Sequence, residues 1–298
     1  MRFTEFEARQ KFVDIPVGRI AYVEIGSGPV PLFLHGRLLN GYFWRHQIRD
    51  LSDIRRCIAI DLMGHGATRA ESSQNMSYDR QATMIRQFLD DRQIDSVDLV
   101  GNDSGNVLAE LFTVNTPKRV RTLTITDASS NPSATVPEEF FKSISQGALR
   151  GTIRTLTSRR DIFRSDKALG LGYDHADKVT DETIDAYLEP FLLSPERLSA
   201  LERFCEATLN CETTVQMGFQ ARELYVPTLM VGAEDNIHFG MKWPEWLSKA
   251  IPGTRRRVEF KDARAYFPEE RWGEFNDKLR NYWTTMSLQA LAMWARIP

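Results

Sequence analysis

Two candidate nucleophiles stand side by side in the segment LVGNDSGNVLAEL, residues 99–111: Asp103 and Ser104. The flanking glycines, Gly101 and Gly105, are symmetric about Asp103, whereas Ser104 is off centre. A residue at the apex of a tight turn between a strand and a helix needs small neighbours, because larger side chains would collide with the adjoining elements. We therefore predict that Asp103 occupies the apex of such a turn.

A carboxylate at that apex would be raised above the carboxyl edge of a sheet, where the first amides of the following helix stabilise an anion. Two other interpretations of the segment are weaker. Ser104 could be the nucleophile of a serine-protease motif, but that motif needs glycines where Asn102 and Asn106 stand, and it belongs to all-β chains. Asp103 could also be a helix cap without further duty.

The surrounding sequence predicts the elements that position this turn. Helical periods occur at 77–93, 104–116 and about 269–284, and strands separate them. Such alternation predicts an α/β fold with a mostly parallel, twisted sheet flanked by helices. The predicted strands, of which the first two form a hairpin, are KFVDIPV, RIAYVEIG, VPLFLHG, RRCIAIDLMGHG, SVDLVGND, RVRTLTITDA, LYVPTLMVGAED and RRRVEFKDA.

Strand patterns stop in the middle of the chain. Residues 129–222 are charged and helical in period, as in DETIDAYLEPFL, and strand patterns then resume. We therefore predict a core formed by residues 1–128 and 223–298, with a helical cap inserted at 129–222.

Composition excludes several classes of partner. The 298-residue chain has a formal net charge of −2, and no apolar stretch is long enough to span a bilayer, so we expect neither nucleic-acid nor membrane binding. Cys57, Cys205 and Cys211 lack metal-like spacing and are predicted to be free thiols. Without a signal-peptide pattern, we expect a cytoplasmic protein that acts on a small molecule with no metal or cofactor. The apolar tail SLQALAMWARIP is expected to pack on the body of the protein or on a second subunit, and the latter would give a homodimer.

Four motifs resemble those of α/β-hydrolase-fold proteins of the haloalkane dehalogenase and epoxide hydrolase group. They fall in the order of that family at fitting spacings, and the resemblance covers about residues 12–127 and 223–284. The motifs are His35-Gly36 after the third strand, Asp61–Gly66 after the fourth, the Gly101–Gly105 turn with Asp103 at its centre, and Gly232–Asp235.

The resemblance implies an α/β-hydrolase fold and a role for each matched residue. Asp103 would attack an sp³ carbon and form an alkyl ester, which a histidine-activated water would hydrolyse. The backbone amides of Arg37 and Ser104 would stabilise the oxyanion formed during hydrolysis. Asp235 and Asp127 lie where family members keep the acid that orients the histidine. Either could instead be an ordinary residue at a strand end.

The sequence departs from the family at the catalytic histidine. Tyr266, beside Phe267, occupies its place before the last helix. A tyrosine with a pKa of roughly 10 is a poor general base at neutral pH. None of the five histidines follows His238, which lies three residues after Asp235. His238 is therefore the candidate substitute base, and the alternative is a loop histidine without catalytic duty.

Other residues are expected to line or support the pocket. Arg37 replaces an asparagine of some dehalogenases and would bind a substrate anion or pair with Asp103, unless it faces solvent. Ser104 replaces the tryptophan that donates to the halide. His35 and His65 belong to loop motifs and are expected to hold those loops by hydrogen bonds. The candidate substrate-binding set is Arg37, His35, Gly36, Asn102 and Ser104.

Three functions are compatible with these residues. The first is a hydrolase of a small apolar electrophile (alkyl halide, epoxide or ester-like) through Asp103, with an atypical or missing base. The second is a non-hydrolytic cyclase, lyase or isomerase in which Asp103 moves protons and Arg37 holds an anion. The third is an inactive ligand-binding protein. Epoxide hydrolases use two cap tyrosines as acids. Tyr173 and Tyr187 lie in the insert, where two tyrosines are expected by chance.

Overall fold

The fold is seen in a computed structural model of the chain. The structure describes residues 1–71, 73–127, 147–208, 212–235 and 242–294, with side chains up to residue 288. Two residues singled out in the sequence, His238 and Cys211, lie outside the described residues.

An eight-stranded sheet forms the core, with the spatial order β1-β2-β4-β3-β5-β6-β7-β8. The first two strands form the predicted hairpin, β2 pairs antiparallel with β4, and the other neighbours are parallel. The prediction of a mostly parallel sheet is therefore confirmed. The strands are β1 Gln10–Ile15, β2 Gly18–Ile25, β3 Val30–Leu34, β4 Cys57–Ile60, β5 Val97–Asn102, β6 Val120–Thr126, β7 Thr228–Ala233 and β8 Thr254–Phe260.

The central strands are buried along their whole length. Every residue of β3, β4 and β5 is buried, which explains why their sequences show continuous apolar runs instead of alternation. The described α-helices are α1 Phe3–Ala8, α2 Arg45–Asp50, α3 Tyr78–Asp91, α4 Ser104–Asn115, α5 Leu149–Ser158, α6 Arg160–Phe163, α7 Asp181–Leu192, α8 Pro195–Thr208, α9 Glu212–Gln220, α10 Lys242–Ala250, α11 Phe267–Glu270 and α12 Trp272–Trp294.

The helices predicted at 77–93 and 104–116 are confirmed as α3 and α4. The first begins where Ser77 accepts a hydrogen bond from the backbone amide of Arg80 at 3.4 Å, so its N-terminus is capped. The predicted closing helix at about 269–284 is wrong at both ends. The chain forms the short α11 and then α12, which continues to Trp294 because the segment that follows residue 284 contains no proline or glycine before residue 298.

The predicted cap contributes helices α5 to α9. Within 147–208 and 212–223, the described residues form helices, turns and loops without a strand. This region docks on the core directly: the side-chain amide of Asn40 donates to the carbonyl of Ala186 at 2.6 Å. Residues 128–146 lie outside the described part, so the boundary at 129 stays a prediction.

Two further sequence predictions concern residues that the structure describes. Cys57 and Cys205 are buried free thiols, as predicted. Among the helices in the described ranges, none combines the length and apolar character that a membrane span requires.

Candidate active site

Asp103 lies at the junction between β5 and α4 in a strained backbone conformation, with φ 50° and ψ −122°. Such a conformation costs a non-glycine residue about 1–3 kcal/mol and persists only where its surroundings enforce it. A Cβ on Gly101 would lie 2.6 Å from the carbonyl oxygen of Gly105, and a Cβ on Gly105 would lie 2.3 Å from that of Leu34. Both glycines are therefore required, and Asp103 is the residue at the apex.

Ser104 is the first residue of α4 and is buried beneath that apex. Its hydroxyl oxygen has no hydrogen-bond partner in the described part of the chain. An activated serine nucleophile needs a base against its hydroxyl. The structure thus gives no support to Ser104 as the nucleophile.

The loop after β3 passes against the carboxylate of Asp103. The backbone amide of Arg37 donates to Asp103 Oδ2 at 2.8 Å. A Cβ on Gly36 would lie 2.8 Å from the Asp103 Cβ and 2.9 Å from Oδ2, so only glycine allows this approach. The sequence predicts that the Arg37 amide stabilises an oxyanion during hydrolysis. In the structure this amide donates to the Asp103 carboxylate itself and orients it.

The Arg37 side chain turns toward the same site rather than to solvent. Burial alone would lower its pKa, but the charges of Asp103 and its neighbours raise the pKa on balance. Its Nε is buried and has no hydrogen-bond partner among the described residues. The buried thiol of Cys205, on cap helix α8, is close enough for Arg37 and Asp103 to act on its pKa, which burial raises to about 11. Arg37 therefore brings a half-buried cation between the core and the cap.

His35 and His65 are structural. His35 Nδ1 lies 2.8 Å from the carbonyl oxygen of Gly36, and Nε2 accepts from the amide of Leu62 at 3.0 Å. Burial lowers the pKa of His35 to about 4 and that of His65 well below its usual value, so both rings are neutral at pH 7. His35 has no ring nitrogen left for a substrate, so its place in the substrate-binding set is corrected: it ties the Arg37 loop to the turn after β4.

Tyr266 packs against the cap and lies near enough to Asp103 for that charge to act on its pKa. Its amide donates to the carbonyl of Gly172 at 2.7 Å, and a Cβ on Gly172 would lie 2.5 Å from the Tyr266 ring. Burial and the charge of Asp103 raise the pKa of Tyr266 above its usual value. The phenol therefore stays protonated at neutral pH, where it can donate a hydrogen bond but cannot act as a base.

Asn102 and Asp127 connect strand ends near the apex. Asn102 donates from Nδ2 to Thr126 Oγ1 at 2.9 Å and to the carbonyl of Ala265 at 3.2 Å, which anchors the segment that carries Tyr266. The buried Asp127 accepts from the amide of Ala233 at 2.7 Å through Oδ1 and so joins β6 to β7. The Nδ2 group of Asn102 thus donates its hydrogen bonds to other groups of the protein. The Oδ1 atom of Asn102 is buried without a partner in the described ranges.

Asp235 is exposed at the end of the turn after β7, where its amide donates to the carbonyl of Ala263 at 3.0 Å. Its neighbour His238 lies outside the described residues, so the structure does not test their pairing.

Sequence reasoning missed a buried polar cluster beside Tyr266. Glu269 pairs with Arg45 and accepts hydrogen bonds from the hydroxyls of Tyr173, at 2.5 Å, and Tyr187, at 2.7 Å. Both tyrosines come from the cap, whereas Glu269 and Arg45 belong to the core. The hydroxyls are therefore directed to a protein carboxylate. The sequence shows two tyrosines in the insert, but no local pattern in it identifies Glu269 and Arg45 as their partners.

Comparison with known proteins gives one family. A family model described as alpha/beta hydrolase fold matches residues 29–271. The haloalkane dehalogenase of Mesorhizobium japonicum (strain LMG 29417 / CECT 9101 / MAFF 303099) is 31% identical over 191 residues, which are 60% of this chain and 59% of that protein. Epoxide hydrolase 2 of Siraitia grosvenorii is 44% identical over 102 residues, which are 33% of this chain and 32% of that protein.

A third relative, haloalkane dehalogenase 2 of Mycobacterium tuberculosis (strain ATCC 25618 / H37Rv), is 30% identical over 170 residues, or 57% of each chain. The chain thus spans less than two thirds of the length of the curated relatives it matches. Among solved structures, epoxide hydrolase CorEH has a TM-score of 0.76 at 20% identity, covering 93% of this chain and 99% of its own. At that identity the likeness shows the fold.

We predict that Gly105→Ala destabilises the protein by at least about 2 kcal/mol, because the new methyl group would lie 2.3 Å from the Leu34 carbonyl oxygen. Urea unfolding measures the change. Gly151→Ala is the matched control, since nothing lies within 4 Å of a Cβ there, and alanine favours the helix. Equal stabilities for wild type and Gly105→Ala would contradict the described turn.

We also predict that His65 makes the protein less stable as the pH falls below 6.5. In that range the unfolded imidazole binds a proton, and the buried one, with its pKa lowered by burial, does not. The free energy of unfolding therefore loses about 1.4 kcal/mol per pH unit from this residue.

Urea unfolding of wild type and His65→Phe at pH 7 and pH 5.5 isolates this contribution, because contributions from other groups cancel in the difference. The phenyl ring suits the site, where His65 already packs at right angles against Phe204 with centroids 4.6 Å apart. Parallel pH dependences for the two proteins would show that His65 is protonated in the folded state.

Proposed function

The chain belongs to the alpha/beta hydrolase fold family, and on that premise we propose that it is an enzyme that uses Asp103 as a nucleophile toward a small apolar electrophile. The observation that carries the proposal is the strained apex of Asp103, whose Oδ2 is held by the Arg37 amide at 2.8 Å. A helix cap would not need this strain or both flanking glycines.

In the first step, a carboxylate oxygen of Asp103 attacks an sp³ carbon in line, and the bond to the leaving group breaks with its electron pair. The product is an alkyl ester on Asp103, and the negative charge passes to the leaving group, which is a free anion from a halide and an alkoxide on the same molecule from an epoxide. The guanidinium of Arg37 and the protonated hydroxyl of Tyr266 lie near enough to Asp103 for its charge to act on their pKa values, and they are the groups that would stabilise that anion. An alkyl halide, an epoxide or an activated alkyl ester, such as an ester of a sulfonic acid, would supply such a carbon.

The cap tyrosines do not support an epoxide substrate. The hydroxyls of Tyr173 and Tyr187 donate to Glu269 and not toward the apex. An epoxide oxygen would have to take its proton from Tyr266 instead. Relatives from both the dehalogenase and the epoxide hydrolase groups match the chain, so the comparisons do not choose between these substrates.

Hydrolysis of the ester needs a base that takes a proton from water. Tyr266 holds its proton at neutral pH, and His35 and His65 hold loops. Of the other described histidines, His46 stacks on Trp272 and His175 lies beside Asp174. Among the described residues, therefore, none is placed to act as this base, and His238 lies outside them. On the described groups we propose that the alkyl ester forms faster than it is hydrolysed.

The same groups favour a second candidate, a non-hydrolytic enzyme. A carboxylate, a protonated phenol and a half-buried guanidinium, whose Nε has no partner among the described residues, could bind an anionic substrate at Arg37 and move a proton through Asp103. Such a reaction would not need a base for water.

We predict that incubation with bromohexane, a matching epoxide or an activated hexyl ester leaves a covalent adduct on the peptide that contains Asp103. Intact and peptide mass spectrometry detect it. Asp103→Asn should give no adduct, because an amide is a poor nucleophile, and Asp235→Asn, at an exposed carboxylate, should leave it unchanged. Neither adduct nor product with any of the three compounds would overturn the proposal and favour the non-hydrolytic candidate.

We further predict that Tyr266→His speeds release of the hexyl group from Asp103 by at least about tenfold, since a positioned general base contributes about 10²–10⁴-fold. Tyr266→Phe is the control that removes the hydroxyl without adding a base. The measurement is the decay of the adduct mass after excess reagent is removed. Equal decay in both variants would show that residue 266 does not stand where water attacks.

A further inference from the structure

A cavity of about 410 Å³ lies at the junction of core and cap. Asp103, Arg37 and Tyr266 are not among the residues that line it. The core wall is the loop 64–70, and the cap wall is formed by the end of α7 and the start of α8, residues 190–200. The cavity is thus distinct from the groups to which we assign the chemistry.

Each wall contributes one guanidinium: Arg69 from the core and Arg197 from the cap. Arg197 donates to the carbonyl of Gly66, and in the described part of the chain neither arginine has a carboxylate within 4 Å. Burial lowers the pKa of Arg197, and the positive charge of Arg69 is close enough to lower it further. Two neighbouring cations without a salt bridge form a place where an anion would be stabilised.

Two carboxylates lie near this pair, and among the described residues neither forms a salt bridge with it. The buried Asp61 accepts hydrogen bonds from the backbone amides of Gly41 and Ala67, both at 2.8 Å, and its charge only partly offsets that of Arg197, whose pKa stays lowered on balance. Glu196 is exposed at the rim of the cavity, where a hydrogen bond from Ser194 lowers its pKa.

The rest of the lining has polar groups from His65, Thr68 and Ser194 and an apolar wall. Phe191 is buried behind the cavity, and Leu193 at the mouth is 71% exposed, which is unusual for a leucine. Pro190, Ala200 and Ala70 complete this apolar wall. A ligand that fills the cavity would therefore need an apolar body as well as an acidic group.

We propose that this cavity binds a small organic anion, with its acid group between Arg69 and Arg197 and its hydrocarbon body against the apolar wall. The volume lies in the range of small-molecule sites, about 300–1,000 Å³. Because one arginine comes from the core and the other from the cap, the bound anion links the two. This inference does not depend on Asp103, so either proposal can fail without the other.

Calorimetric titration of the full chain with hexanoate tests the proposal. We expect saturable binding that weakens at least about tenfold in Arg69→Gln and in Arg197→Gln, because each variant loses one charge-assisted contact. Hexanol, which lacks the acid group, and inorganic phosphate, which lacks the apolar body, should bind at least about tenfold more weakly than hexanoate.

Arg203→Gln is the matched control, because Arg203 lies on the same helix, donates to Ser199 at 3.0 Å and does not line the cavity. Its affinity for hexanoate should equal that of wild type. Arg69 is exposed, so Arg69→Gln tests the site even if Arg197→Gln fails to fold. The proposal is overturned by an absence of binding, by unchanged binding in Arg69→Gln, or by phosphate binding as tightly as hexanoate.

Discussion

The site depends on one backbone constraint: Asp103 must adopt φ 50° and ψ −122° between a buried strand and a helix. The conformation is unfavourable for an aspartate, and the packing of β3 and β5 against α4 maintains it. The same packing leaves no room for a Cβ at Gly101 or Gly105. The turn therefore places the Asp103 side chain at the carboxyl edge of the sheet. The loop that carries Arg37 follows the adjacent strand and contacts this side chain.

Electrostatics then decide what the presented carboxylate can do. Arg37 supplies a backbone donor to the carboxylate and a half-buried cation near it, and Tyr266 supplies a phenol that burial keeps protonated. All three groups suit the formation of an ester and the stabilisation of a departing anion, but none of them accepts a proton from water. Behind Tyr266, Glu269 and Arg45 hold the hydroxyls of two cap tyrosines, so the cap is fixed to the core by a buried polar cluster.

Local signals in the sequence were sufficient to predict the turn and the type of sheet. The glycines on either side of Asp103 identify the apex because the whole pattern lies within five consecutive residues. The apolar runs identify the buried strands. The Glu269 cluster could not be predicted, because Arg45 and Glu269 are 224 positions apart and meet only through packing. The role of His35 likewise depends on the distant amide of Leu62, and the raised pKa of Tyr266 depends on burial. The end of the last helix was missed because an apolar tail was not distinguished from a continuing helix.

The most direct test of Asp103 as the attacking group is the fate of heavy oxygen from labelled water. After prolonged incubation of the wild-type chain with a reactive electrophile in such water, peptide mass spectrometry measures the label in the segment that contains Asp103. If the carboxylate attacks carbon and water then attacks the ester carbonyl, heavy oxygen is retained in Asp103. If the label is found only in the alcohol product and Asp103 stays unlabelled, water attacks the substrate directly and the account is contradicted.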